Sequence, residues 1–136
     1  MKPRKYIVIL SLLLAFCGAV SLAIADDHWS DDWKITYMGK AKSTGKISFQ
    51  LTFEAGEDGT AVDPVTIDVL VSDKATDNEI AELTTNNIGA VLGEDGFKIS
   101  QSWGENVVVK ARGDTPDFSL ELVNSSVQGI SIVIND

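Results

Sequence analysis

Residues 47–54 read ISFQLTFE, and this short run decides the fold class of the chain. Four apolar residues alternate with four polar ones, so an extended segment here has one apolar face and one polar face. A period of two is typical of a half-buried β-strand. The preceding residues 33–38 are predicted to form its hairpin partner, with residues 40–45 as the loop.

The same alternation recurs along the rest of the chain. Further strands are predicted, in chain order, at residues 65–71, 97–103, 107–111, 118–122 and 127–134. In the first of these, Leu70 points away from the other apolar residues, which favours a central strand covered on both faces. The segments at 97–103 and 107–111 are predicted to form a hairpin around a tight turn at residues 104–106.

One segment, residues 76–92, has the periodicity of a helix. Thr76 and Glu79 have the spacing of a capping box, and apolar residues recur at helical intervals up to Gly93. These apolar residues are Ile80, Leu83, Ile88, Val91 and Leu92. The chain is therefore predicted to be an α+β protein, a mostly antiparallel β-sheet or sandwich of six to seven strands with one amphipathic helix over about 76–92.

Nine apolar residues from these elements are predicted to be inaccessible to solvent. They are Phe49, Leu51, Ile67, Val69, Ile80, Leu83, Val109, Leu120 and Ile132. Together they would form the single core that a domain of this length can bury.

The first 25 residues have the pattern of a secretory signal peptide. Three basic residues (Lys2, Arg4 and Lys5) precede an apolar run at 6–16, and Ala23-Ile24-Ala25 is a small-x-small cleavage site. Two alternatives are a retained membrane helix over 6–25 and lipid attachment at Cys17, which the bulky Phe16 disfavours. The predicted organisation is a signal peptide at 1–25, a mobile acidic leader at 26–32 and a single domain at 33–136.

Removal of the signal peptide also removes Cys17, the one cysteine of the chain. An exported domain without disulfides is more typical of bacterial periplasmic or secreted proteins than of small eukaryotic ones. The remaining 111 residues hold 8 basic and 20 acidic side chains, so the formal charge changes from −9 for the whole chain to −12. This charge disfavours nucleic acids and anionic lipid surfaces as partners, and no membrane span is expected after cleavage.

Catalysis has little support in the sequence. The mature chain would have no thiol and one histidine, and it has no Gly-rich phosphate loop or nucleophile elbow. We therefore predict a protein that is not an enzyme and requires no cofactor.

Asp26, Asp27 and His28 would form the N-terminus after cleavage. A free amine, two backbone amides and an imidazole supply four nitrogens for square-planar Cu(II) or Ni(II). The alternative is an incidental exposed histidine. A second candidate for ion binding, here Ca²⁺, is the set of acidic loop residues Glu57, Asp58, Asp63, Glu94 and Asp95. Solvated turns are the alternative for these residues, because Asp and Gly are ordinary turn formers.

Two sets of residues are candidates for a binding surface. Trp29, Trp33, Tyr37 and Trp103 could form an aromatic platform for sugars or a peptide, although packing is the favoured interpretation and Trp29 is the residue predicted to be most exposed. Lys34, Lys40, Lys42 and Lys46 concentrate positive charge in the first predicted hairpin of an acidic domain. Such a dipolar layout favours head-to-tail association of identical subunits. Lysines that keep an edge strand soluble are the alternative.

The order of elements over residues 65–111 also resembles a known kind of module. A strand is followed by a capped helix beginning TDNEIA at 76–81, and the helix is followed by a Phe-led hairpin closing with VVVKA at 107–111. This order is similar to the strand-helix-hairpin modules of phage tail-sheath and other surface-assembly proteins. The resemblance implies an assembly role without catalytic residues.

The sequence therefore predicts an exported, non-enzymatic domain that acts by protein contact, as a subunit of a surface assembly or as an accessory binding module. The alternative is a periplasmic metal-binding or small-ligand-binding protein that uses the N-terminal Asp-Asp-His sequence or the acidic loops.

Overall fold

The computed structural model describes residues 29–55, 59 and 62–136. Within these residues, seven antiparallel strands and one helix confirm the α+β class. The elements are β1 (Asp32–Gly39), β2 (Gly45–Phe53), β3 (Val65–Val71), α1 (Asp77–Leu92), β4 (Phe97–Ser102), β5 (Asn106–Ala111), β6 (Phe118–Ser125) and β7 (Ile130–Asn135).

The strands form two sheets that face each other. The first has four strands in the order β4-β5-β1-β7, and the second has three in the order β3-β2-β6. Alternate residues of each strand point between the sheets and form one apolar core. At one end of this core, rings from both sheets meet: Phe97 and Phe118 are in edge-to-face contact, with ring centroids 5.5 Å apart.

Helix α1 begins with the predicted capping box. The Thr76 hydroxyl accepts a hydrogen bond from the backbone N–H of Glu79 (3.2 Å), and the Glu79 carboxylate accepts one from the backbone N–H of Thr76 (2.9 Å). These bonds satisfy N–H groups that have no partner within the helix. The helix ends at Gly93, whose φ of 76° lies in the region that favours glycine.

The helix closes one side of the sandwich. It contacts β1, β4 and β5 of the four-stranded sheet and β3 of the three-stranded sheet. The Asn87 side chain donates a hydrogen bond to the backbone oxygen of Asp68 in β3 (2.9 Å), and Gln101 of β4 donates one to the backbone oxygen of Asn78 (3.2 Å). The helix therefore lies between two edge strands that would otherwise be open.

The prediction that residues 33–38 pair with residues 47–53 is wrong. Strand β1 pairs with β5 and β7, whereas β2 pairs with β3 and β6 in the other sheet. The connection between β1 and β2 crosses from one sheet to the other. It is fixed there by bonds from the N–H of Ala41 to the oxygen of Ala75 and from the N–H of Lys42 to the oxygen of Gln128, both 2.8 Å.

Strand β3 is an edge strand and not the central strand that Leu70 suggested. Leu70 is 71% exposed, because its side of the three-stranded sheet faces solvent. The strand has a regular alternation of buried and exposed residues, as expected of a sheet covered on one face.

Eight of the nine predicted core residues are buried, and Leu83 is the exception at 38% exposure. The buried stripe of the helix consists of Ile80, Ala81, Thr84 and Ile88. Thr84 takes the central place in this stripe, one residue away from Leu83. The apolar pattern predicted burial of Leu83 because hydrophobic periodicity counts only apolar residues and therefore does not identify a threonine as a core residue.

Candidate functional site

Successive connections alternate between the two ends of the sandwich, because every strand and the helix reverse the direction of the chain. We call one end the lysine end; it is formed by the connections at 40–44, 72–76, 103–105 and 126–129. The opposite end is the acidic end, formed among the described residues by 29–31, 54–55, 59, 62–64, 93–96, 112–117 and 136.

The two ends carry different charges. The lysine end has three bases (Lys40, Lys42 and Lys74) and two acids (Asp73 and Glu105). The described part of the acidic end has one base, Arg112, and eight acids. These acids are Asp31, Glu54, Asp63, Glu94, Asp95, Asp114, Asp117 and Asp136. The formal charges of these connections are therefore +1 and −7. The Asp77 and Glu79 carboxylates in the first turn of α1 also lie at the lysine end, where they accept hydrogen bonds from the backbone N–H groups of Gly39 and Thr76. The lysine end is therefore close to neutral, whereas the opposite end is strongly acidic.

Trp103 lies at the tip of the β4–β5 hairpin, at the lysine end. Its side chain is 86% exposed, the highest value among the large apolar residues that the structure describes. Its backbone φ is 54°, a left-handed conformation that bulky residues rarely adopt and that costs about 1–3 kcal/mol. The turn occupies residues 103–105, one residue earlier than predicted, and Asn106 begins β5.

Neighbouring groups hold this turn in place. The Gln101 side-chain amide donates to the backbone oxygen of Gly104 (2.6 Å), and the N–H of Tyr37 donates to the oxygen of Glu105 (3.1 Å). The side chain of Asn78 packs against Gly104 so closely that a Cβ at this position would meet it at 2.7 Å. Trp103 is thus an exposed aromatic residue on a fixed support.

An open groove with a volume of about 460 Å³ runs between the C-terminal half of α1 and the first half of β4, beside the acidic end. Phe97 and Ile99 supply its apolar part, and Lys98 and Arg112 supply positive charge. On the helix side, Gly89 leaves the groove wide, since a Cβ built there would meet no atom within 4 Å.

The wall formed by β4 is a sheet edge. The N–H of Arg112 donates to the oxygen of Gly96 (2.9 Å), which marks these two residues as a hydrogen-bonded pair of the β4–β5 ladder. Because the pattern alternates, the backbone polar groups of Phe97 and Ile99 point away from β5 and toward the groove. The Arg112 guanidinium donates to the backbone oxygen of Glu94 (3.2 Å), which fixes its position at the end of the groove.

The four predicted lysines do not share a hairpin. Lys40 and Lys42 lie at the lysine end, Lys34 lies on the outer face of β1, and Lys46 belongs to β2 in the other sheet. The Lys46 ammonium is 3.9 Å from the Asp68 carboxylate across the β2–β3 pair. Three of the eight basic residues that the structure describes, Lys40, Lys42 and Lys74, lie at the lysine end.

The predicted aromatic platform does not form. Trp33 is buried, with its indole N–H donating to the oxygen of Phe118 (2.8 Å), and Tyr37 is completely buried. Both residues pack, as favoured by the sequence. The expectation that Trp29 is the most exposed aromatic residue is wrong, because Trp29 is half-buried and Trp103 projects into solvent.

The predicted ion sites are divided between described and undescribed residues. Asp63, Glu94 and Asp95 lie at the acidic end, whereas Asp26, Asp27, His28, Glu57 and Asp58 lie outside the described residues. In the described part of the chain, no group of three or more His, Cys, Asp or Glu side chains is arranged to hold a metal ion. The described residues also contain no helix that is long and apolar enough to cross a membrane.

Comparisons with known proteins add no relatives. No family model, no curated protein and no solved structure matches the chain. The similarity of residues 65–111 to surface-assembly modules stays a prediction.

Proposed function

We propose that this chain is an exported, non-enzymatic assembly subunit whose copies associate head to tail, with the lysine end of one copy against the acidic end of the next. The observation that carries the proposal is the segregation of charge between the two ends, +1 against −7 in the described connections. Complementary charges on opposite ends favour contact between unlike surfaces of identical subunits.

Because the strands keep the two ends far apart, the charge of the end that faces a neighbour matters more than the net charge of the whole chain. A strand of eight residues, such as β1, is roughly 26 Å long at about 3.3 Å per residue. The Debye length at physiological ionic strength is about 8 Å, so the two ends of one subunit are screened from each other. A lysine end that approaches a neighbour therefore responds mainly to the acidic end in front of it.

The composition of the lysine end also supports a contact role. Trp103 is an exposed aromatic residue on a hydrogen-bonded turn, and Met38, next to Tyr37 near the same end of β1, is 49% exposed. Tryptophan and methionine are enriched in protein interfaces, whereas lysines belong mainly to their polar rim. Secretion, which the sequence of residues 1–25 predicts, would place such an assembly outside the cytoplasm.

The test is light scattering coupled to size exclusion on the secreted protein, with its N-terminus fixed by intact mass. Protein concentration is varied from roughly 10 μM to 1 mM, the range of a weak contact, at 0.15 and 1 M salt. We expect the mean mass to rise with concentration and to fall in high salt. Lys40→Glu combined with Lys42→Glu should abolish the rise.

The matched control is Lys34→Glu combined with Lys110→Glu. It changes the net charge by the same amount on the outer face of the four-stranded sheet and outside the lysine end, with Lys110 beside the acidic end, 3.9 Å from the Asp32 carboxylate. This control should associate like the wild type. A wild type that stays monomeric throughout, or equal losses in both double variants, would contradict the proposal.

A further inference from the structure

We propose that the groove between α1 and β4 binds the Trp103 indole of a second copy of this chain. The inference rests on the proposed head-to-tail function and names the two surfaces that meet. Trp103 lies at the lysine end, and the groove lies beside the acidic end. The contact therefore joins the two ends named in the proposed function, and at the groove itself the cations Lys98 and Arg112 face an uncharged aromatic ring.

The conformation of Trp103 gives the first argument. Burial of a large aromatic side chain normally compensates for an unfavourable backbone conformation, but Trp103 combines a φ of 54° with 86% exposure. Within its own subunit the indole gains little from packing. Contact with a second molecule would bury an aromatic side chain carried on a turn whose backbone is already ordered by hydrogen bonds, which limits the entropy lost on binding.

The shape of the groove gives the second argument. Its volume of about 460 Å³ falls within the roughly 300–1,000 Å³ typical of pockets that bind small molecules. Phe97 and Ile99 offer apolar contact to a ring, and the open space over Gly89 gives the ring room to enter beside the helix.

The polar groups around the groove suit an indole. Lys98 and Arg112 can lie against the face of the ring as cation–π partners, a role in which tryptophan is the strongest aromatic residue. The indole N–H needs one acceptor. The backbone oxygens of Phe97 and Ile99 on the open edge of β4 and the Glu94 carboxylate are acceptors of this kind.

A head-to-tail contact of this kind is heterologous: the indole of one copy enters the groove of the next, so a bound pair still has one free indole and one free groove. It adds subunits repeatedly and gives an open chain or, where the rotation between copies closes, a ring.

The test uses two complementary variants. Trp103→Asn removes the indole and keeps the groove, whereas Gly89→Leu fills the groove and keeps the indole. A Cβ built at position 89 meets no neighbouring atom within 4 Å, and the rest of the leucine side chain extends into the open groove, so this variant should fold normally. Gly89→Ala is the matched control, because a methyl group leaves most of the groove open.

We expect each of the two variants to be monomeric at concentrations where the wild type and Gly89→Ala form chains or rings. An equimolar mixture of Trp103→Asn and Gly89→Leu should give a heterodimer and nothing larger. The Trp103 fluorescence of the Gly89→Leu protein should shift to shorter wavelength in that mixture, because the indole leaves water.

The outcomes separate this inference from the proposed function. Association of Gly89→Leu to the same extent as the wild type, or a mixture that stays monomeric, would overturn the groove as the receptor while leaving head-to-tail association in place. A wild type that stops at the dimer at every concentration would overturn the repeated addition of subunits. A wild type that never associates would overturn both.

Discussion

The Tyr37 phenol oxygen lies 2.7 Å from the Thr84 hydroxyl, and both side chains are completely buried. The Thr84 hydroxyl also donates to the backbone oxygen of Ile80 (2.8 Å). Because a hydroxyl has one proton, Thr84 must accept the bond from Tyr37. This chain of two bonds attaches α1 to β1 across the core, at a distance of 47 residues along the sequence.

Burial raises the pKa of the Tyr37 phenol well above its usual range. In the unfolded chain the phenol loses its proton at about pH 10, whereas in the folded state it keeps it. The free energy of unfolding should therefore be independent of this group below about pH 9 and should fall as pH rises beyond about 10. Urea unfolding from pH 8 to 11 measures this dependence, and Tyr37→Phe should reduce it. Equal pH dependence in both proteins would contradict the assignment.

The buried hydroxyl pair also predicts unequal effects of two substitutions. Thr84→Val leaves the Tyr37 hydroxyl without an acceptor in the core and should lower the free energy of unfolding by about 1–3 kcal/mol. Thr85→Val is the matched control one residue along the helix, where the side chain is half-buried and bonds to the backbone oxygen of Ala81. Chemical denaturation should give a clearly smaller loss for the control, and the reverse order would count against the role of the Tyr37–Thr84 bond.

The helix packing predicts a contrast between two neighbouring apolar residues. Ile80→Ala should cost about 2–5 kcal/mol, because Ile80 is completely buried and its loss leaves a cavity. Leu83→Ala should cost less than about 1 kcal/mol, since Leu83 already contacts water. Thermal or urea unfolding compares the two, and similar losses would show that Leu83 belongs to the core after all.

Removal of the helix cap should lower stability without a change in the core. Thr76→Ala deletes the oxygen that accepts from the N–H of Glu79 and should cost about 0.5–2 kcal/mol. Thr76→Ser keeps the oxygen and serves as the control. If the serine variant lost as much as the alanine variant, the hydrogen bond would not be the cause.

Replacement of Trp103 should separate stability from association. Asparagine adopts the left-handed conformation more readily, so Trp103→Asn should raise the free energy of unfolding by up to about 1 kcal/mol. The same variant should not self-associate. Unfolding is best measured at a protein concentration where the wild type is monomeric. A variant less stable than the wild type would mean that the indole contributes to the fold of its own subunit.

The N-terminal sequence Asp26-Asp27-His28 can be tested apart from the rest of the domain. If cleavage follows Ala25, the mature protein should bind one Cu(II), and His28→Ala should remove this binding. Visible absorption during a copper titration is the measurement. Identical titrations of the two proteins would exclude the N-terminal site.

The sequence predicted the elements well, because their signals are local. The alternation at 47–53 and the Thr76–Glu79 spacing each involve residues that are close together in the sequence. The structure has a strand at the first place and a capped helix at the second. Strand partners were harder to predict. Whether β1 pairs with β2 or with β5 depends on contacts between residues far apart in the chain, and a hairpin was the simplest guess.

The candidate site escaped prediction for related reasons. Hydrophobicity alone favoured burial of Trp103, and only the adjacent Gly104, which has a φ of 79°, indicates a turn that would expose it. The groove arises where Gly89 of the helix comes close to Phe97 of the edge strand. Neither residue has a functional signature of its own, and the groove exists only once the helix lies against the sheet.

The alternation of connections between the two ends also has a practical use. Seven strands and one helix make eight passes, an even number, so residues 29 and 136 both lie at the acidic end. A label, resin or sensor surface attached at residue 29 or at residue 136 would leave the Trp103 tip facing solution. All immobilised molecules would then have the same orientation on the surface. Binding of a second molecule to the Trp103 tip could be measured separately from binding to the groove.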